Sequence, residues 1–463
     1  MRIAILPLFG MPNFRKDSNW REWVDLIHAT DELDLGVHWY FLVPKIEGDY
    51  EDLPNTTLIP IQMEMRDFYH QQARIPNEMY KLFAYKIGQY PIDAIATSRT
   101  SAISAMKAQM SDNRRKYSVP IHLLEPLVRV ETVQNEDLIK AMSYGYSQAH
   151  NWFLNKDEQR KAFEKARRYL SPSAFIELKE KSYVQGLPLK TDEMDEIVNN
   201  TEKREKFTLF WGARMSREKN PKMTAEIMEK FFSGGRDCDL IMTTQQVNPK
   251  LRKSVMDTAK GAVEEIKTDC PRSEFLSNVA SSHMFLCTSD VEGFPTGFLE
   301  QLYVLQVGLF PDKQWVRDVL PEDYPYIYKN RKEAHTIVRW VHENYDEAVE
   351  RVSWIRDWIR EKYDHHVVAD KFIKLIEETR TEDDEIHGTL GSFRDILDDC
   401  MDHYGREFSY QEMLEYIQEE ARSWRPHAVK YMGNPNCYEM HRYILANGYK
   451  DNHKYEYPHY ERT

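Results

Sequence analysis

One pattern constrains this chain more than any other, and it occurs twice: short uninterrupted apolar runs, separated by stretches whose apolar residues recur at helical spacing. In the first half the runs are Ile3–Leu8, Val37–Val43, a segment from Thr57 onward, Ile92–Thr97 and Val119–Leu124, with a predicted helix over Ser18–His28. The alternation restarts at Phe207–Ala213 and continues through Leu240–Thr244 and His283–Ser289. Helices are expected at Lys222–Phe232 and Thr296–Leu305. A strand without polar alternation is covered on both faces, and strands of that kind alternating with helices build parallel sheets. The fold class is therefore α/β, with two doubly wound domains facing each other. In such folds ligands sit beyond the carboxyl ends of the strands, here in the cleft between the domains.

The 463 residues suit about three folding units at roughly 150 residues each. The expected division is 1–190 for the first Rossmann-like domain and 191–385 for the second, with 391–463 as a separate helical module. The Asn135–Leu170 stretch reads as a charged helical region. Thr191–Lys206 reads as a polar linker or exposed loop. From Arg331 to Glu378 nearly everything is helical, with Val338, Val341, Ala348, Val352, Ile355 and Ile359 at helical spacing.

Composition closes several classes. No apolar run approaches the ~20 residues a membrane span needs, and the N-terminal run lacks a signal-peptide cleavage pattern. Five cysteines without a CxxC pair speak against a disulfide scaffold or structural zinc and for a reducing, cytoplasmic location. A formal charge of −13 means that any nucleic-acid partner must be met by a local patch.

The residues able to carry chemistry cluster after strands of the second block. In VEGFPTGFLE, Glu292 falls in the loop after a strand and Glu300 about one turn into the next helix. Carboxylates accept paired hydroxyls, as on a sugar or ribose, and the intervening helix N-terminus can hold an anion. Taken alone, two such acids also fit a solvated helix face. In WGARMSREKNP, Arg214 and Lys219 lie just past a strand end and suit a diphosphate, Arg by a bidentate fork and Lys as a point charge. Asp237-Cys238-Asp239 is formally a D-x-D motif. It follows a Gly-Gly turn before a strand, so a turn is expected there and no metal at the site.

Together these segments resemble the large retaining family of two-Rossmann-domain (GT-B) nucleotide-sugar glycosyltransferases with the E-x7-E motif. GARMSREKN keeps that family's Arg-to-Lys spacing, and EGFPTGFLE keeps Glu292, Gly293, Phe294, Leu299 and Glu300. The resemblance spans roughly residues 1–380. It implies that Arg214 and Lys219 bind the donor diphosphate, that Glu300 holds the ribose hydroxyls, and that Glu292 contacts the transferred sugar. Gly293, Phe294 and Thr296 would complete the donor loop. His122 matches the family's histidine at a late strand end near the anomeric carbon, and Gly10 the glycine that lets the donor approach the first loop. Two departures concern the donor: Pro295 replaces the family's second glycine, and Gly308-Leu309-Phe310-Pro311 carries its proline one place late. No cofactor is implied beyond a nucleotide-diphosphate sugar, UDP-sugar first, as co-substrate.

The acceptor must be sought in the last segment. There an amphipathic stretch, a turn at Asn434-Pro435 and a capped helix from Asn436 are followed by a Tyr-rich tail that resembles the wing of a winged helix-turn-helix. From Arg422 on, seven bases outnumber four acids. Double-stranded DNA is the expected partner, contacted through Arg425, Asn436, Tyr438, His441, Arg442, Lys450 and Lys454. Chemistry then requires a hydroxylated base such as a 5-hydroxymethylpyrimidine, the acceptor of bacteriophage DNA glycosyltransferases. Four other readings stand beside it: a cap or dimerisation unit in place of the DNA module; transfer to a small molecule, lipid or polysaccharide precursor; a non-catalytic DNA-binding protein on the same frame; and a GT-B phosphorylase or epimerase.

Overall fold

The structure is a computed structural model. It describes residues 1–7, 18–44, 52–61, 90, 92–98, 100, 103, 106–107, 119–125 and 136–387, the last range without 236, 245–247, 260–262 and 269. In the terminal segment it describes 407–409, 449–451 and 459–462. The chain divides into two compact units, one of residues 1–75, 94–104 and 121–375, the other of 76–93, 105–120 and 376–463.

The first unit holds two parallel sheets. One contains β1 (Arg2–Leu6), β2 (His38–Pro44), β3 (Thr56–Ile61), β4 (Ala94–Thr97), β5 (Ile121–Glu125), β6 (His150–Phe153) and β7 (Ser182–Val184). Its order is β3-β2-β1-β4-β5-β6-β7. Every adjacent pair is parallel, and Ile3 stands between Trp39 on β2 and Ala94 on β4. Ile3, Ala4, Ile5, Trp39, Phe41 and Ile95 are sealed from solvent, as apolar strands covered on both faces must be.

The second sheet contains β8 (Phe207–Gly212), β9 (Cys238–Thr244), β10 (Val263–Thr268), β11 (Met284–Leu286), β12 (Gly308–Pro311) and β13 (Ile327–Tyr328). Its order is β10-β9-β8-β11-β12-β13, again parallel throughout. In both sheets the order reverses once, between β1 and β4 and between β8 and β11. A crevice opens at such a reversal because the flanking helices leave on opposite faces.

Two sequence expectations are corrected. Thr191–Asn200 is a helix rather than a linker. Met194 anchors it in the core and the Thr191 hydroxyl bonds Asp364, so a few inward residues outweigh the charged outer face. The Asn135–Leu170 region is two helices, Glu136–Ser147 and Lys156–Ala166, divided by β6. All four residues of β6 are buried, including His150 and Asn151, which masked the strand in the sequence.

The chain crosses between the sheets twice. The two crossings lie side by side: the Leu189 N–H donates to the Tyr363 carbonyl at 2.8 Å, and the His365 N–H to the Leu189 carbonyl at 2.9 Å. No helix among the described residues is long and apolar enough to cross a membrane.

The second unit contains a small antiparallel sheet of β14 (Glu407–Ser409), β15 (Tyr449–Asp451) and β16 (His459–Arg462), in the order β14-β16-β15. The first and last of these strands pair, and the middle strand forms a hairpin with the last.

Candidate functional site

The site is built at the reversal between β8 and β11. Beyond β8, Arg214–Asn220 turns back to the Pro221–Ser233 helix. Asn220 takes a left-handed backbone (φ 47°), which asparagine tolerates better than most residues, and Pro221 starts the helix with its fixed φ. Beyond β11, the loop from Cys287 to Pro295 leads into the Thr296–Leu305 helix. The two turns are tied together: the Thr288 hydroxyl donates to the Lys219 carbonyl at 2.9 Å and the Asp290 N–H to the Glu218 carbonyl at 2.8 Å.

This scaffold brings Lys219 and Glu292 into direct contact as a charge-assisted hydrogen bond between Nζ and Oε1. Both are nearly enclosed, at 12% and 9% side-chain exposure, and the ammonium also lies 5.7 Å from the centre of the Phe298 ring. Arg214 behaves differently. It is 43% exposed and only loosely paired, 3.8 Å from Glu218, so its guanidinium is available to an anion. Thr296 and Gly297 open the next helix with no side-chain cap on their N–H groups, and a Cβ placed on Gly297 would meet nothing within 4 Å. A flexible cation, a buried ion pair and open space at a helix start can together receive a phosphate group and a neighbouring hydroxyl.

Gly293 and Phe294 belong to the walls. The Gly293 carbonyl accepts from the Asn155 side chain, whose own oxygen caps the Lys156–Ala166 helix at 2.8 Å. Phe294 is buried against Tyr363, ring centres 5.3 Å apart, and lies over Gly186, where a Cβ would come within 2.4 Å of its ring. The loop after β11 is thus seated on the first sheet's domain.

Glu300, the second acid of the motif, is buried and held at Oε1 by two arginines. One is Arg21, from the Ser18–Glu32 helix of the first domain; the other is Arg272, at 3.0 Å. Arg272 also donates through Nε to both oxygens of Glu193 at 2.9 and 2.8 Å. Burial alone would raise the Glu300 pKa, but Arg21 and Arg272 outweigh it and hold the carboxyl below its usual value. Burial likewise opposes charge on Arg21, and Glu300 and Asp25 reverse that, raising the guanidinium above its ordinary value.

The structure therefore gathers Arg214, Lys219, Glu292, Gly293, Phe294, Thr296 and Glu300 around one strand-end region. His122 lies in the first sheet. It is the second residue of β5 rather than its end, fully buried, with its ring stacked 5.0 Å from His150 on β6 and edge-on to Phe372 at 6.2 Å. Asp237 and Asp239 stand at the amino end of β9, away from the crevice, where Lys206 binds them at 2.8 and 2.7 Å. Gly10, Arg425, Asn436, Tyr438, His441, Arg442 and Lys454 lie outside the described residues. Lys450 is in β15, paired with Glu461, and its side chain is outside the description.

Sequence reasoning missed Arg21, Arg272 and Asn155. Arg21 and Asn155 act on the site from the first domain and Arg272 from the helix just before β11, and none lies in a recognisable motif.

No protein-family model matches the chain, and no curated sequence matches it significantly. Solved structures do. A sucrose-phosphate synthase from Thermosynechococcus elongatus matches with TM-score 0.62 at 12% identity, over 82% of this chain and 100% of that one. An α,α-trehalose-phosphate synthase (UDP-forming) from Burkholderia xenovorans, in complex with glucose-6-phosphate, gives 0.60 at 11% over 81% and 100%. HepE from Anabaena, in complex with UDP-glucose, gives 0.55 at 12% over 82% and 100%. At such identities the likeness establishes architecture: the two parallel-sheet α/β domains of this chain have the GT-B fold.

Proposed function

We propose that the protein is a GT-B glycosyltransferase that moves a sugar from a nucleotide-diphosphate sugar, UDP-sugar first, to a hydroxyl acceptor. The observation that carries this reading is the Lys219–Glu292 pair beside the open Arg214, at the one strand reversal of a sheet with this fold. Arg214 and Lys219 would hold the diphosphate, with Lys219 leaving Glu292 as phosphate arrives and Glu292 turning to a sugar hydroxyl. Glu300 would meet the ribose while still fixed by Arg21 and Arg272.

In the retaining mechanism, the bond from the anomeric carbon to the β-phosphate oxygen breaks and the acceptor oxygen bonds to that carbon on the same face. The acceptor proton passes to the departing phosphate. Cations at the diphosphate stabilise the charge that grows there, the largest contribution such a site makes. No general base from the protein is required.

The acceptor divides into two readings, each with its own support. The order β14-β16-β15, with first and last strands paired, is that of a winged-helix sheet, and the tail is locally basic. This favours a hydroxymethylpyrimidine in duplex DNA, with the module near 391–463 as the docking element, domain limits near 190 and 385, and action in the cytoplasm of a phage-infected host. The named products of the structural neighbours favour a sugar or sugar phosphate.

Transfer of labelled sugar from UDP-, GDP- and ADP-sugars separates these readings. Acceptors would be hydroxymethylated DNA, plain DNA, glucose-6-phosphate and fructose-6-phosphate, with Arg214→Ala and Glu292→Ala as controls. Label in modified DNA alone supports the DNA reading, and label in a sugar phosphate alone removes it. Absence of both transfer and donor hydrolysis with every donor contradicts the glycosyltransferase.

A further inference from the structure

Outside the crevice, one cluster of side chains has the donor set of a metal centre. The Ser18–Glu32 helix ends at Glu32, and the His365–His387 helix begins with His365 and His366, directly after Asp364. Both imidazoles turn Nε2 toward the same oxygen, Glu32 Oε2, at 3.3 Å for His365 and 2.7 Å for His366. Both turn Nδ1 toward the Asp364 carboxylate, at 3.4 and 3.2 Å. Asp364 is itself fixed by the His366 N–H at 2.9 Å and by the Thr191 hydroxyl. The rings lie 3.9 Å apart, centre to centre.

An ordinary ion pair needs one histidine and one carboxylate. Here two histidines are oriented alike between two carboxylates, with Asp25 adding a third negative charge felt by His365. No lysine or arginine among the described residues forms an ion pair with any of the four. If Nδ1–H of each ring donates to Asp364, each Nε2 is left as a lone pair aimed at a carboxylate oxygen. A carboxylate behind a ligating imidazole fixes its tautomer and raises its basicity. The three ligand atoms all lie within 4.8 Å of one another. Bonds of about 2.0–2.2 Å to a tetrahedral ion would place them roughly 3.3 Å apart. His365 and Glu32 are already at that separation, Glu32 and His366 are closer at 2.7 Å, and the two histidine nitrogens are no more than 4.8 Å apart, with half-exposed Glu32 free to adjust.

We propose that Glu32, His365 and His366 form a binding site for a divalent transition metal, zinc by its ligand chemistry, with Asp364 as the outer carboxylate. A fourth position on the exposed side is left to water. The place gives the site its role. His365 follows the second crossing between the sheets, where its N–H is bonded to Leu189 of the first. A metal there clamps the first domain's helix to both crossings, and the site is structural rather than catalytic.

The test uses the untagged full-length chain, stripped with chelator and dialysed against Zn2+, with Co2+ as a spectroscopic probe. The expected result is one equivalent bound per chain, a four-coordinate Co2+ visible spectrum, and a thermal midpoint raised by Zn2+. Glu32→Gln and His366→Asn change the two exposed ligands. Each should weaken uptake at least ~10-fold, and the double variant should abolish both the Co2+ spectrum and the thermal shift. The chain has 16 histidines, so the variants carry the decision. No saturable uptake by the wild type overturns the proposal, as does undiminished uptake by the double variant.

Discussion

Glu292 and Glu300 belong to one motif and one turn-and-helix segment, yet the fold uses them differently. Glu292 stands in the loop beyond β11 and, among the described residues, forms one ion pair, with Lys219 on the neighbouring loop. Glu300 is a turn deeper and is held by two arginines, one of them 279 residues away in the first domain. The first arrangement can be exchanged for a ligand at the cost of one ion pair. The second cannot be opened without releasing two partly exposed arginines from one buried carboxylate, so it ties the first domain's Ser18–Glu32 helix to the second sheet's domain. A motif of two carboxylates thus contains one group poised for exchange and one strut.

The largest test of that contrast is Glu300→Ala, which removes the carboxylate shared by the two arginines, leaves Arg21 to Asp25 and Arg272 to Glu193, and should cost about 2–3 kcal/mol in urea unfolding. Next in size is Arg214→Ala. It should lower transfer by about 100-fold or more while leaving the unfolding midpoint nearly unchanged, since in the proposed reaction this exposed cation would serve charge development and not packing. Sugar transfer and unfolding curves measured on both variants give opposite orders of severity if the contrast holds.

A pH series sharpens it further. The Glu300 carboxyl is depressed below its ordinary 4.5, so its contribution is complete above that value and fades as pH falls through the lower folded value. The stability gap between wild type and Glu300→Gln should therefore be constant from pH ~7 to ~5 and shrink progressively below. The smallest effect belongs to Lys206→Ala. It releases Asp237 and Asp239 at the far end of β9 and should leave transfer unchanged, with or without chelator. Chelator-sensitive transfer lost in Asp237→Asn would give the D-x-D sequence a catalytic role.

Much of the frame is legible in the order of residues alone. Uninterrupted apolar runs such as Phe207–Ala213 form buried parallel strands, and the motif spacing places Arg214, Lys219 and Glu292 after the correct strands. What could not be read shares a physical cause. The β10 strand, VEEIKT, lies at a sheet edge, where burial demands little hydrophobicity. The Thr191–Asn200 helix is anchored by Met194 alone among its apolar side chains, and its charges conceal the pattern. His122 fits a motif position by composition, but the start of β5 at Ile121 places it inside the sheet. The partners Arg21, Arg272 and Asn155 are products of tertiary proximity, for which one sequence carries no local signal.

Calorimetric titration of UDP into the full chain at fixed salt tests the central claim most directly. Saturable binding is expected, weakened at least tenfold (about 1.4 kcal/mol) by Arg214→Ala and by Lys219→Met, and unchanged by Lys206→Ala. UDP, GDP and ADP all failing to bind, or UDP binding with equal strength to Arg214→Ala and Lys219→Met, would contradict a nucleotide-sugar site at the reversal between β8 and β11.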